Sequence, residues 1–314
     1  MQIAPAGFEQ DQVAPIMVAR PQDGKVLQVA VPFAVEPAMG ELIAIQAIGW
    51  PFATLCLTAF LFWMGIPIGP IHLWVGLAAS LIAGRLIVCG WRTWLAATTW
   101  LVAVTAAGGT ALGWLYDFSG DGQWYHVPAV LGLAEGWNPV KTARLVDWNG
   151  KFEQEIPSAA IYVQHYAKGV WIVAAAAYRA TGLLEATKVF NLLYLLATYL
   201  IAAGFLRRLG LSRVWAHALA LTAAVNPVIL YQMHSFFVDG QLAALCTLLV
   251  VVSLDYFREP RSRTLVLLGA CVVLLTNTKF TGLAYAIALG GGLFALIDDA
   301  ILRFMPGQGD GPIQ

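Results

Sequence analysis

The sequence predicts an all-α membrane protein: a polytopic bundle of about eight transmembrane helices, with a long outer first loop and a short interfacial helix. Three observations carry this prediction. Of 314 residues, 59% are hydrophobic and only 11% charged, with a mean hydropathy of +0.71. A soluble domain carries about 25% charged residues. Apolar runs of the ~20 residues needed to cross a bilayer recur along the chain. Short loops separate them, several rich in Arg. The net charge is zero, which removes the basic surface of a nucleic-acid binder.

Residues 1–41 are mixed and Pro-containing, without the basic start and apolar core of a cleaved signal peptide. They are read as a cytoplasmic segment, so the first span directs insertion. The transmembrane domain covers 42–304, with spans near 43–65, 72–90, 94–115, 189–206, 214–232, 239–256, 264–280 and 281–300. The last two are divided only by the polar break Asn277-Thr278-Lys279. Asn226-Pro227 lies inside the fifth, where a kink is expected. The fifteen residues of Val170–Leu184 reach roughly 22 Å as a helix, short of the ~30 Å hydrocarbon core. This run also holds Arg179, and it is read as an interfacial or re-entrant helix. Trp50, Trp91, Trp94, Trp114 and Tyr116 are placed near span ends, as in an aromatic belt. Cys56, Cys89, Cys246 and Cys271 lie in apolar runs without CxxC spacing, which supports neither a disulfide framework nor a zinc site. The tail 305–314 is Gly/Pro-rich and expected to be disordered.

The positive-inside rule tests this assignment. With the N-terminus inside, the short basic loops Arg207–Arg213 and Arg258–Arg263 both fall on the inner face. Making Val170–Leu184 a span would move both outside. The outer loop 117–188 then shares its face with two further polar breaks. Four segments meet there: DFSGDGQWYH (117–126), HYAKG (165–169), MHSFFVDG (233–240) and NTKFTG (277–282). Convergence of such distant segments at one end of a bundle is the sequence argument for a site.

Within these segments, Asp121 and Asp117 are the first candidates for catalysis. A carboxylate in a partly dehydrated pocket acts as a general base or holds a divalent cation. Asp117, Asp121 and Asp239 are the candidate ligands for such a cation. Gly120 and Gly122 flank Asp121 and permit close approach of a substrate. On a helix, Asp121 and Tyr125 share a face at i, i+4. Asp is also a favoured N-cap, so these acids equally suit the start of a helix. His126, His165 and His234 fit ligand, base or simple polar roles, and none has metal-site spacing. Lys168 suits an anionic headgroup or ordinary snorkelling. Asp239 sits where a span begins, favourable at a helix N-terminus. Asn277 and Lys279 interrupt an apolar run, and a Lys there requires an anionic partner: Asp239, Asp121 or a bound phosphate.

These segments resemble the GT-C superfamily of polytopic glycosyltransferases, which includes protein mannosyltransferases and the aminoarabinose transferase of lipid A. In that group an acidic motif opens a long outer loop. Here Asp121-Gly-Gln-Trp-Tyr125 keeps its Asp and Tyr, with Gly122 where an acid would stand. DGQWYH, GWNP, HYAKG, NPV with HSFFVDG, and NTKFTG are similar to motifs of uncharacterised bacterial members, over roughly 94–300. The resemblance implies that Asp121 is the catalytic acidic residue and that Lys168 contacts a polyprenyl-phosphate donor. The implied activity is sugar transfer to an acceptor glycan, lipid or protein, at the periplasmic face of a bacterial inner membrane. The alternatives are a transporter or flippase of lipid-linked sugars, or a non-catalytic membrane subunit.

Overall fold

The computed structural model describes residues 16–18, 27–29, 38–88, 90–142, 157–292 and 295. It divides into two units, Met1–Pro37 and Ala38–Gln314. In the first, β1 (Ile16–Val18) pairs antiparallel with β2 (Leu27–Val29), Ile16 opposite Val29. The tail 305–314, most of the segment 1–41 and the end of the span expected at 281–300 lie outside the described residues.

The second unit is helical. In chain order it contains α1 (Met39–Trp63), α2 (Pro70–Ile87), α3 (Trp91–Gly113), α4 (Val127–Ala134), α5 (Pro157–His165) and α6 (Gly169–Thr181). There follow α7 (Val189–Arg208), α8 (Arg213–Ala224), α9 (Pro227–Gln232), α10 (Asp239–Arg258), α11 (Ser262–Thr276) and α12 (Phe280–Tyr285). Among the described residues five helices are long and apolar enough to cross a membrane: α1, α2, α3, α10, and α7 with the turn before it, Glu185–Arg208. The chain is thus a multi-pass membrane protein.

The expected count of about eight full spans is not reproduced among the described residues. The run 214–232 is two short helices, α8 and α9, broken at Asn226-Pro227. Asn226 Oδ1 accepts the Ile229 N–H at 3.1 Å and starts a new helix, and Pro227 has no N–H to continue the old one. The run expected at 264–280 is the 15-residue α11. Past the polar break, helix resumes over Phe280–Gly291.

Two further expectations are refined. α6 is too short to span, as anticipated for an interfacial or re-entrant helix, and it is enclosed by its neighbours rather than lying on the surface of the bundle. Trp171 to Ala177 are buried without interruption, and α6 packs against α4, α2 and α1. The run Ala174–Ala177 makes the helix thin enough to be enclosed. Trp50 likewise does not belong to a belt. It lies midway along α1, buried, with its indole N–H on the Leu73 carbonyl at 3.1 Å.

α1 and α2 approach closely through Gly76, Ser80 and Gly84, spaced four apart on α2. A Cβ on Gly76 would stand 2.1 Å from Thr54 Oγ1, and one on Gly84 2.9 Å from Gln46 Nε2. Ser80 donates to the Gln46 carbonyl at 2.7 Å. Lipid offers no hydrophobic drive between helices, so contact depends on such small residues and interhelical hydrogen bonds.

The ends of the bundle are chemically distinct. At the end where α1 begins and α7 stops, Arg208 bonds Asp255 at 2.9 Å and Glu41 at 3.4 Å, while Arg263 pairs with Glu41 at 3.6 Å. Following the helices from there, the loop after α3, the turn before α10 and the break after α11 all fall at the other end.

Candidate functional site

The site is built where α3 stops. Asp117 is 1% exposed. Its Oδ1 accepts the Ser119 N–H and its Oδ2 the Phe236 N–H, each at 2.8 Å. These bonds fold the loop back on itself and fasten it to the turn before α10. Gly122 rests on the same carboxylate, with a Cβ-to-Oδ2 distance that would be 2.1 Å. Only glycine fits there.

From Gly122 to His126 the backbone widens into a π-helical turn, with the Val127 N–H reaching back to the Gly122 carbonyl. Such turns shift the direction of side chains and often occur at functional sites. Here both Tyr125 and His126 are turned inward and buried. The Tyr125 hydroxyl lies 3.3 Å from Asp121 Oδ2 and 3.5 Å from the Tyr166 hydroxyl. Both contacts are long for O–H···O bonds, so Asp121 is half-exposed and only loosely held. Burial, then the Tyr166 and Asp121 contacts, raise the Tyr125 pKa, keeping the phenol a donor. Its ring stacks on Tyr162 at 5.1 Å.

His126 Nδ1 accepts the Trp171 indole N–H at 2.7 Å, which puts the imidazole proton on Nε2. That Nε2 is buried and makes no hydrogen bond among the described residues. Burial pushes the ring down to about 3 against the opposing pull of Asp239 and Asp117, so it is neutral at ordinary pH.

HYAKG and NTKFTG meet through the backbone: the Gly169 N–H donates to the Asn277 carbonyl at 2.9 Å. Asn277 thus contributes its main chain, while its side chain bonds the Val273 carbonyl at 2.9 Å and closes α11. Lys279 Nζ stands 2.7 Å from Asp239 Oδ1, so of the two carboxylates considered for it Asp239 is the one it pairs with. Burial acts to lower Lys279, but the Asp239 carboxylate outweighs it and the net shift is upward. Lys279 also lies over the Tyr166 ring, 5.9 Å from its centre.

Lys168 is differently engaged. Its ammonium donates to the carbonyls of Tyr166 and Gln164, the latter at 3.0 Å, and faces the rings of Trp171 and Trp137 at 5.4 and 6.0 Å. Burial lowers it to about 8. It clasps the turn between α5 and α6. His165 and His234 are both exposed, His234 edge-on to Tyr231 at 6.5 Å.

Among the described residues, no group of three or more His, Cys, Asp or Glu side chains could hold a metal ion. Asp239 is held by Lys279 and Asp117 by two backbone N–H groups, so with Asp121 they do not form the cation site considered from the sequence.

No protein-family model, curated protein or solved structure matches this chain. The site therefore rests on its own geometry.

That geometry includes residues which the motifs did not single out as site residues. Tyr162 and Tyr166 lie four apart, and Trp171 follows in α6; this spacing was a readable signal of a shared aromatic face. Lys188 is buried, paired with Glu185 at 2.6 Å and donating to the Leu115 carbonyl, so it ties α3 to α7. Asn191 donates to the Ser235 carbonyl at 2.9 Å and accepts from Gln241 at 2.5 Å, steadying the turn before α10. Both are polar residues near the start of an otherwise apolar helix, which is a costly placement without partners.

Proposed function

We propose that the chain is a GT-C-like membrane glycosyltransferase, moving a sugar from a polyprenyl-phosphate-linked donor to an acceptor at the end of the bundle that carries Asp121. The observation that supports this reading is the meeting of four distant segments there, which bring the loosely held carboxylate of Asp121 and the Lys279–Asp239 pair to one end of the bundle. In this reading the Asp121 end faces the periplasm of a bacterial inner membrane, and the N-terminus is cytoplasmic. The basic loops 207–213 and 258–263 lie at the opposite end, in keeping with the positive-inside rule. The topology proposed is about eight crossings, with α8–α9, α11 and the helix after Lys279 as short ones.

In the step proposed, Asp121 takes the proton of an acceptor hydroxyl, whose oxygen attacks the anomeric carbon. The bond from that carbon to the phosphate oxygen breaks, and the electron pair leaves with polyprenyl phosphate. Tyr125, as donor, orients Asp121. Lys279 neutralises the departing phosphate, as cationic clamps do for phosphoryl oxygens. Lys168, whose ammonium serves two carbonyls, is the other candidate for this role. The test is transfer of a labelled sugar from a lipid-linked donor in membranes carrying Asp121→Asn. A loss of about 10²–10⁴-fold is expected for a missing general base. Full turnover in the variant would sink the base assignment.

One observation favours a second reading, a transporter or flippase of lipid-linked sugars. Ion pairs occur at both ends, Lys279–Asp239 at one and Arg208 with Asp255 and Glu41 at the other. Paired charges at two ends suit gates that open in turn. Movement of labelled lipid-linked sugar across sealed vesicles, without transfer to any acceptor, would establish it instead.

A further inference from the structure

Asp117 also lines a second cleft, of about 170 Å³ and open to the outside, which does not include Asp121, Tyr125 or Lys279 in its lining. Its walls are aromatic: Tyr116 and Phe118, set edge to face at 4.9 Å, and Tyr231 with Phe237 opposite. Phe118 is 88% and Tyr231 74% exposed, so both rings can be reached from outside. Asp117 contributes to the lining, yet forms no ion pair among the described residues. Asp239 differs in this respect, since it has Lys279. Among the described residues no Lys or Arg lines the cleft, and the basic side chain there is His234.

A carboxylate that forms no ion pair among the described residues, in a lining of aromatic rings, attracts a positive group of low hydration. Aromatic rings recognise organic ammonium ions through their negative faces. We propose that this cleft binds an organic ammonium group, held against the Tyr116, Phe118 and Tyr231 rings with Asp117 as the fixed negative charge. The proposal is independent of the glycosyltransferase reading and goes beyond it. Two sources share this chemistry: the headgroup of a choline lipid, entering from the bilayer surface, and a soluble amine.

The test uses the full chain in nanodiscs of phosphatidylglycerol alone, titrated with choline chloride and followed by calorimetry. The control ligand is the neutral alcohol in which carbon replaces the choline nitrogen. Saturable binding of choline but not of its neutral analogue is expected. Phe118→Ala and Tyr231→Ala, both at exposed positions, should each weaken it about two- to five-fold. Addition of phosphatidylcholine to the nanodisc separates the sources. Competition with choline assigns the cleft to the lipid headgroup, and unchanged choline affinity assigns it to a soluble amine. The proposal is overturned if the neutral analogue binds equally well, if both ring variants bind choline like the parent, or if only a neutral sugar such as glucose binds.

Discussion

Asp117 Oδ2 accepts the backbone N–H of Phe236 at 2.8 Å, joining positions 119 residues apart in the chain. The bond fastens the loop after α3 to the turn before α10. Through Gly122, which lies against the same carboxylate, it also sets where Asp121 and Tyr125 stand. Asp117→Ala would leave the buried Phe236 N–H without a partner. The expected cost is about 1.5–3 kcal/mol, as for other bonds to a charged acceptor. Thermal unfolding in detergent measures it. Asp117→Asn retains an acceptor oxygen and should lose less, and equal losses would contradict this account.

Gly122→Ala adds a methyl where the Asp117 Oδ2 and Ser119 Oγ would lie 2.1 and 2.2 Å away. The carboxylate must then move and release one of its backbone donors. Overpacking of this kind costs about 1–3 kcal/mol. Because the same shift displaces the π-helical turn, any activity dependent on Asp121 should fall along with the unfolding temperature. Gly120→Ala is the control, since a Cβ there meets nothing within 4 Å. Equal behaviour of the two variants would show that the contact is unimportant.

His126 carries the clearest pH signature. Burial lowers it to about 3 in the folded chain, against an ordinary value of about 6.5. Between those values the unfolded chain binds a proton that the folded chain refuses. This contribution to stability is therefore intact above about pH 6.5 and declines as pH falls toward 3. Unfolding midpoints from pH 7 to 4 should drop less steeply in His126→Asn, which can still accept the Trp171 N–H. Identical slopes in the two proteins would rule out His126 as a source of acid sensitivity.

At the opposite end, Arg208 serves Asp255 and Glu41, which are 4% and 8% exposed. Removing one partner of a buried pair costs about 3–5 kcal/mol. The Arg208 side chain is 24% exposed, so solvent reduces the loss for Arg208→Ala to about 2–3 kcal/mol. Arg208→Lys keeps the charge but not the two-pronged geometry and should fall in between. Chemical unfolding in mild detergent tests the order, and a silent Arg208→Ala would show that the network adds nothing.

Much of this arrangement was legible in the linear pattern. α10 begins at Asp239, helix breaks over 277–279, and the segments at 117, 165, 233 and 277 share one end of the bundle. The i, i+4 relation of Asp121 and Tyr125 is realised as a contact. Other features were harder to read. Val170–Leu184 contains Arg179 and is short, properties common to a helix at the interface and to one buried among others. Its enclosure became apparent only from the neighbours of Trp171–Ala177. Trp50 has the same residue type as a belt tryptophan, and only the length of α1 distinguishes it. The small residues Gly76, Ser80 and Gly84 were a readable packing signal that hydropathy alone does not register.

The sequence by itself determined the solvent of this protein and the end of the bundle to which its polar segments go. Each residue carries its own cost of transfer into hydrocarbon, and that cost is local, additive and ordered along the chain. Tertiary structure alone decided which charge answers which. Lys279 paired with Asp239 and not with Asp121, Lys168 turned to carbonyls and indoles, and Asp117 became the fastening of two loops while Asp121 stayed partly exposed. Partnership depends on helix rotation and on the register between segments more than a hundred residues apart, and a single chain's pattern of polarity encodes neither.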